Sequence, residues 1–77
     1  MPSSVFTAQY ARFCEVLADH RKQRGLTQKD LAGRLGKPQS YVSKYERAER
    51  RLDLIEFLHV AEVLGVDPST VISQITE

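Results

Sequence analysis

Seventy-seven residues with 42% hydrophobic and 27% charged side chains suit one small folded domain with a single core, and argue against disorder. No run reaches the roughly 18 apolar residues of a membrane span, the start "MPSSVFTAQYARF" lacks the basic-then-apolar order of a signal peptide, and a single cysteine, Cys14, excludes an internal disulfide. A reducing cytoplasm is therefore the expected compartment. The net charge of +1 conceals an asymmetry: residues 20–51 hold ten Lys/Arg against three acids, a local +7, and the remainder holds one arginine against seven acids, a local −6. Such a layout offers one positive face to a polyanion, although charge alone also allows a chance clustering of basic residues.

Every periodic stretch reads as helix, and no segment alternates with the period of two that strands require. Five helices are expected, at about 8–24, 28–35, 39–46, 54–64 and 68–75, in one domain over residues 1–77 with loose ends at about 1–6 and the last two residues. On the first helix Tyr10, Phe13 and Leu17 recur at i, i+3 and i+7 and should face the core, with Cys14 half-buried beside Phe13. "LTQKDL" opens the second with Thr27 as N-cap, Asp30 closing a capping box, and Leu26 stapled to Leu31; Leu31, Ala32 and Leu35 point inward. "LDLIEF" opens the fourth in the same way, with Asp53, Glu56 and the pair Leu52–Phe57. Leu54, Phe57, Leu58, Ala61 and Leu64 make that helix the expected centre of the core. "VDPSTV" opens the fifth with Asp67 as cap, Pro68 at the first helical position and Val66 against Val71. Gly25, Gly36 and Gly65 fall where helices must stop. Val71, Ile72 and Ile75 give the last helix an apolar side large enough to serve partly as an oligomer surface.

The stretch "GKPQSYVSKYERAERR", residues 36–51, has a different character. On a wheel of about 100° per residue, Pro38, Tyr41, Val42 and Tyr45 share one arc, Gln39, Ser40, Ser43, Lys44 and Arg47 share the opposite one, and Glu46 lies at the border. Tyr41, Val42 and Tyr45 would pin a two-turn helix whose outer row carries short or flexible hydrogen-bonding groups. Gln pairs with adenine, Lys donates to guanine, and Ser serves base or phosphate. Lys37, Arg47, Arg50 and Arg51 flank the row where phosphates would run. The wheel alone divides evenly between this reading and a plain solvated face. The preceding element favours the first: a stapled helix of eight residues, one glycine turn, then this helix, which is the layout of a helix-turn-helix at about residues 28–46.

"LTQKDLAGRLGKPQSYVSKYERAERRLDLIEFLHVAEVLGV" resembles the Cro/repressor-type (XRE-like) helix-turn-helix domain of bacterial and phage regulators, from about Leu17 to Val66. Its most specific parts are "GLTQKDLA" and "YVSKYE" at the family's spacing. The resemblance implies a compact five-helix, lambda-repressor-like all-α fold whose second and third helices read DNA. It implies base contacts from Gln39, Ser40 and Lys44, with Ser43 on the same face, and backbone contacts from Gln28, Arg47, Arg50 and Arg51. Lys37 joins the backbone set by its flanking position, and the hydroxyl of Tyr41 by its place at the edge of the packed arc. Arg21 and Glu46 match a buried ion pair that orients the reading helix. Two positions depart from the family. Ala48 stands where glycine is usual, so α-helix is expected to run on past Glu46, and Pro38 stands where a Ser or Thr cap is common.

His20 and His59 have no ligand cluster at metal spacing, and no phosphate cradle, nucleophile–base pair or carboxylate pair is legible. Enzyme activity, cofactor, metal, small-molecule ligand and membrane attachment are not expected. The leading expectation is a sequence-specific, double-stranded-DNA-binding transcriptional regulator, by default a repressor. It would act on a palindromic operator as a homodimer formed through the C-terminal helices, controlled by its concentration, a partner or operator position. The rival expectation is a protein-interaction module of the same fold, an adaptor or an antitoxin-like partner.

Overall fold

The computed structural model describes residues 4–76, with side chains from residue 8; residues 1–3 and 77, part of the expected loose ends, lie outside them. Helices α1 (Ser4–Gln23), α2 (Gln28–Leu35), α3 (Gln39–Glu46), α4 (Leu54–Leu64) and α5 (Pro68–Thr76) follow one another. The chain is all-α among the described residues. Helix α1 begins earlier than expected, because no glycine or proline interrupts residues 4–8.

The starts of the helices obey the sequence grammar. Thr27 Oγ1 accepts from the Asp30 backbone N–H at 3.0 Å, and Asp30 Oδ2 accepts from the Thr27 N–H at 3.0 Å. Asp53 and Glu56 form the second reciprocal box, at 2.7 and 2.9 Å. Asp67 caps α5 through the backbone N–H and hydroxyl of Ser69, at 2.9 and 2.8 Å. Pro38 occupies the N-cap of α3 and offers no side-chain acceptor.

The stops are equally uniform. Gly25, Gly36 and Gly65 sit in the left-handed region, and the N–H of the next residue reaches back to Arg21, Ala32 and Ala61 carbonyls at 3.2, 2.9 and 3.0 Å. This is the Schellman closure. Helix α3 closes in the same way on Ala48, at φ +60°, with the Glu49 N–H donating to Lys44 O at 2.8 Å. The expectation that helix would continue here is thus corrected. Left-handed backbone costs a non-glycine about 1–2 kcal/mol, and that cost is outweighed by what the reversal allows. It brings Arg50 and Leu52 under the Tyr10 hydroxyl of α1.

Helix α2 packs on α3 and α4, and α1 packs on α3 and α5. Leu17, Leu31, Val42, Tyr45, Val60 and Leu64 are among the most buried side chains. Several expected core positions move. Leu54 and Leu58 are 65% and 40% exposed, and Val60 is fully buried in their stead; Ile55 and Ile72 are also exposed. Helix α4 is apolar around most of its circumference, so periodicity leaves its phase open and only packing sets it. Phe13 is half-buried against the core and Tyr10 half-buried with its hydroxyl turned to the loop after α3, whereas Cys14 is fully rather than half buried. Burial pushes the Cys14 thiol up from its ordinary value, which keeps it protonated and unreactive near neutrality.

Replacing Ala48 by glycine removes the left-handed penalty at an exposed site. Ala48→Gly is expected to raise stability by about 1 kcal/mol in urea unfolding; a loss would show that the alanine stiffens the turn more than it strains it.

Candidate nucleic-acid interface

Helix α3 is fastened from one side. Val42 and Tyr45 are fully buried, and the half-buried Tyr41 ring meets Tyr45 edge-on, with centroids 5.9 Å apart. The opposite side faces outward: Gln39, Ser40 and Lys44 are exposed, and Ser43 is partly exposed with its hydroxyl donating to Ser40 O at 3.3 Å. Lys37 is exposed at the turn, and its Nζ lies 5.5 Å above the Tyr41 ring. Burial raises the Tyr41 hydroxyl, so it remains a donor.

The far end of α3 is tied to α1. Arg21 Nε donates to Glu46 Oε2 at 2.7 Å and its NH2 group to Oε1 at 3.1 Å, the fork-on-fork geometry that suits guanidinium to carboxylate. A third donor, NH1, reaches Leu26 O at 2.8 Å, and Gln28 Nε2 adds a bond to Glu46 Oε1 at 2.9 Å. The two charged side chains are only 11% and 6% exposed. The Glu46 hydrogen bonds hold the Arg21 guanidinium above its usual pKa. One cluster thereby joins α1, the start of α2 and the end of α3. The side-chain amide of Gln28, a residue expected at a phosphate, is part of this cluster.

The loop from Arg47 to Asp53 carries three arginines in three different states. Arg47 is exposed and paired with Glu49, Nε to Oε2 at 3.0 Å and NH2 to Oε1 at 3.1 Å; this lowers the Glu49 carboxyl. Arg50 is half-buried and engaged by its own fold. Its guanidinium meets Glu56 at 2.9 and 3.3 Å and lies 4.5 Å over the Tyr41 ring. Arg51 is exposed, its guanidinium 4.5 Å over the ring of Tyr10. The Tyr10 hydroxyl donates to Arg50 O at 2.7 Å and accepts from the Leu52 N–H at 3.0 Å. Burial pushes the Tyr10 hydroxyl up to about 12, so it stays a donor at any physiological pH.

The fold leaves Gln39, Ser40, Ser43, Lys44, Lys37, Arg47 and Arg51 at least partly exposed on α3 and the segments that flank it, and engages Gln28 and Arg50 within itself. Tyr10, Glu49 and Glu56 were absent from the sequence reading of this surface. Their partners lie two to 42 positions away, and no local pattern links Tyr10 to a loop 40 residues on. Among the described residues no helix is long and apolar enough to cross a membrane, and no group of three or more His, Cys, Asp or Glu side chains could hold a metal ion.

Two helices joined by a glycine turn, the second anchored by one face and showing polar tips on the other, with cations at its flanks, define a helix-turn-helix DNA-reading domain. The helix-turn-helix family profile matches residues 17–71, and the chain belongs to that family, the XRE type of DNA-binding transcription regulator rather than an enzyme. An XRE-family-like protein from Pseudomonas syringae pv. tomato has a similar structure, with TM-score 0.87 and 46% identity over 94% of this chain and 88% of that one. The restriction-modification controller protein C.AhdI from Aeromonas hydrophila is similar at TM-score 0.77 and 33% identity, over 83% and 97% of the two chains. In sequence, the chain is 39% identical over 46 residues to y4dJ of Sinorhizobium fredii, described as an uncharacterized HTH-type transcriptional regulator. The match spans 60% of either length.

The Arg50–Glu56 pair has a pH signature. Its hydrogen bonds to Arg50, with one from the Asp53 backbone, hold the Glu56 carboxyl at about 2 against an ordinary 4.5. A carboxyl depressed in the folded state contributes stability that is complete above the unfolded value and lost as pH falls through the folded one. Between about pH 4.5 and 2, Glu56→Gln is expected to lose stability less steeply than the parent, read by urea unfolding along a pH series. Parallel curves would show that Glu56 does not titrate with folding.

Proposed function

We propose that the chain is a sequence-specific regulator that binds duplex DNA in the cytoplasm as a homodimer and represses from a palindromic operator. The observation that carries this reading is the outward row of Gln39, Ser40 and Lys44 on a helix whose other face is closed by Val42 and Tyr45. Exposed amide, hydroxyl and ammonium tips on a rigid rod suit the donor–acceptor pattern of a major groove. In this reading Gln39, Ser40 and Lys44 meet base edges, and Ser43 supports them. Lys37, Arg47, Arg51 and the Tyr41 hydroxyl meet the phosphate backbone. Gln28 contributes through the N-terminal N–H groups of α2, whose dipole favours an anion, and Arg50 works mainly as a strut for the loop. Arg47 would exchange Glu49 for a phosphate on binding.

One such unit makes few base contacts, and specificity is supplied by symmetry: two units with reading helices one turn of DNA apart, roughly 34 Å. All the large apolar side chains exposed among the described residues lie on α4 and α5: Leu54, Ile55, Leu58 and Ile72. The first three share one face of α4 by their spacing. The acids Glu62 and Asp67, on α4 and just before α5, disfavour phosphate at that end of the molecule, which favours a second copy there. A dimer lying across a promoter blocks polymerase, so repression is the simplest action.

Two experiments test the reading. Affinity for duplex DNA should fall with salt at a slope near −0.9 for each phosphate neutralised, whereas a pure protein-interaction module would bind little duplex at physiological salt. On a site selected from a random pool, Gln39→Ala or Lys44→Ala should each cost about 1–3 kcal/mol and leave random DNA nearly unaffected. Equal loss on both would make them backbone contacts. For the dimer, Ile55→Asp with Leu58→Asp should give a folded monomer by sedimentation, with specific affinity reduced roughly 10²-fold or more. A monomeric parent of high specificity would remove the dimer from the proposal.

A further inference from the structure

The structure assigns Tyr10, on α1 and outside the helix-turn-helix, as the positioning residue that sets the backbone-gripping loop after α3 and holds Arg51 ready for a phosphate. The inference rests on the DNA-binding reading above and extends it to a residue remote in sequence from the reading helices.

Three contacts converge on this one side chain. The hydroxyl bridges two loop backbone groups from opposite directions, donating to Arg50 O at 2.7 Å and accepting the Leu52 N–H at 3.0 Å. The ring carries the Arg51 guanidinium on its face at 4.5 Å. Behind it, the ring tilts on Phe13 at 5.7 Å, and Phe13 meets Phe57 of α4 edge-on at 5.1 Å. Tyr10 is thus a rigid post standing on the core, and the loop is laced to its tip.

The reason it should bear on DNA, rather than on folding alone, lies in how the loop arginines are engaged. Arg47 has its fork occupied by Glu49, and Arg50 by Glu56. Arg51 instead has its guanidinium carbon 4.5 Å over an aromatic ring. A guanidinium held by a cation–π contact spends no hydrogen-bond donor on it and loses little freedom when a phosphate arrives. The same hydroxyl that fixes Arg50 O and Leu52 N fixes the backbone on both sides of Arg51, so its origin and its resting place come from one residue. Without the hydroxyl, the Leu52 N–H and Arg50 carbonyl lose this shared partner and the span 50–52 gains freedom that binding must then remove.

Tyr10→Phe keeps the ring and deletes only the bridge, so it is the discriminating variant. The probe is a random-sequence duplex, titrated at several salt concentrations below the thermal midpoint of each protein. Tyr10→Phe is expected to bind about three- to tenfold more weakly, the scale of one net hydrogen bond's ordering, and Arg51→Ala to flatten the salt slope by about 0.9. In combination, Tyr10→Phe should weaken Arg51→Ala little further, because the two act on one contact. Exchange of the Leu52 amide, followed by NMR, should accelerate in Tyr10→Phe while amides of α4 stay protected, which places the defect in the loop. A role in folding alone would lower the midpoint but leave affinity and salt slope at parental values. That result, or losses from the two substitutions that add in full, overturns the inference. A parent chain that binds no duplex at low salt would overturn the DNA-binding reading, and this inference with it. A parent that binds while Tyr10→Phe is indifferent overturns the inference alone.

Discussion

The fold's functional geometry hangs on a charge that water barely reaches. Arg21 and Glu46 are drawn from α1 and α3, and each has lost most of its hydration. Their attraction is supported by four hydrogen bonds: two across the pair, one from Arg21 to Leu26 O, and one from Gln28 to Glu46. Removing one partner of such a pair strands the other and costs about 3–5 kcal/mol, far more than an exposed pair such as Arg47–Glu49 contributes. The arrangement gains direction more than stability. Leu26 O belongs to the turn that ends α1, Gln28 to the first residue of α2, and Glu46 to the last of α3, so one guanidinium sets three segments relative to one another. An apolar cluster of equal volume would hold them together but would allow α3 to rotate; the fork does not.

A second constraint lies in the repeated closure of the helices. Three glycines and Ala48 end α1, α2, α4 and α3 by the same left-handed reversal. Three of these positions satisfy the backbone cheaply, and the fourth does so with a Cβ in the way. The exit from the reading helix is thus the one stop that carries strain, and it leads directly into the loop stitched by Tyr10 and by Arg50. Val42 and Tyr45 lock the body of α3 into the core, with the Tyr45 hydroxyl buried and unpartnered there. Strain and an unmet hydroxyl are both tolerable in a helix held by the core along one face and by Arg21 at its end.

Most of the architecture was legible because it is written in short-range chemistry. Thr27 with Asp30, Asp53 with Glu56, and Pro68 after Asp67 are contacts within four residues, and they mark helix starts to the residue. The outward row on α3 was legible for the same reason, since eight residues with one apolar arc have only one way to lie. Illegible features depend on distance or on absent competition. Leu54 and Leu58 read as core because α4 is oily nearly all round, and only the shape of its neighbours shows that Val60, not Leu58, fits inside. Ala48 read as helix because local preference disfavours the left-handed state, and contacts made 40 residues away at Tyr10 override it. Arg50 read as a free cation because Glu56 was already assigned to a cap. In the fold one carboxylate does both, accepting from the Asp53 N–H and from Arg50 together.

That last point changes how the charge asymmetry should be understood. The local +7 of residues 20–51 already subtracts Glu46 and Glu49, the partners of Arg21 and Arg47, but not Glu56, which pairs with Arg50 from outside that window. Beyond the Debye length, about 8–10 Å in ordinary buffers, a paired arginine and its carboxylate largely cancel, so the weak field around α3 follows the net charge of the surface rather than its count of arginines. At contact, paired and unpaired cations differ. A paired arginine must trade one anion for another and gains little, while Lys37, Lys44 and Arg51 have no carboxylate partner to leave among the described residues. On the DNA-binding proposal, the pairs would lower indiscriminate adhesion to phosphate. The remaining grip would rest on a few cations on α3 and its flanking turn and loop, so that affinity for the backbone and register on the bases would be set by the same piece of structure.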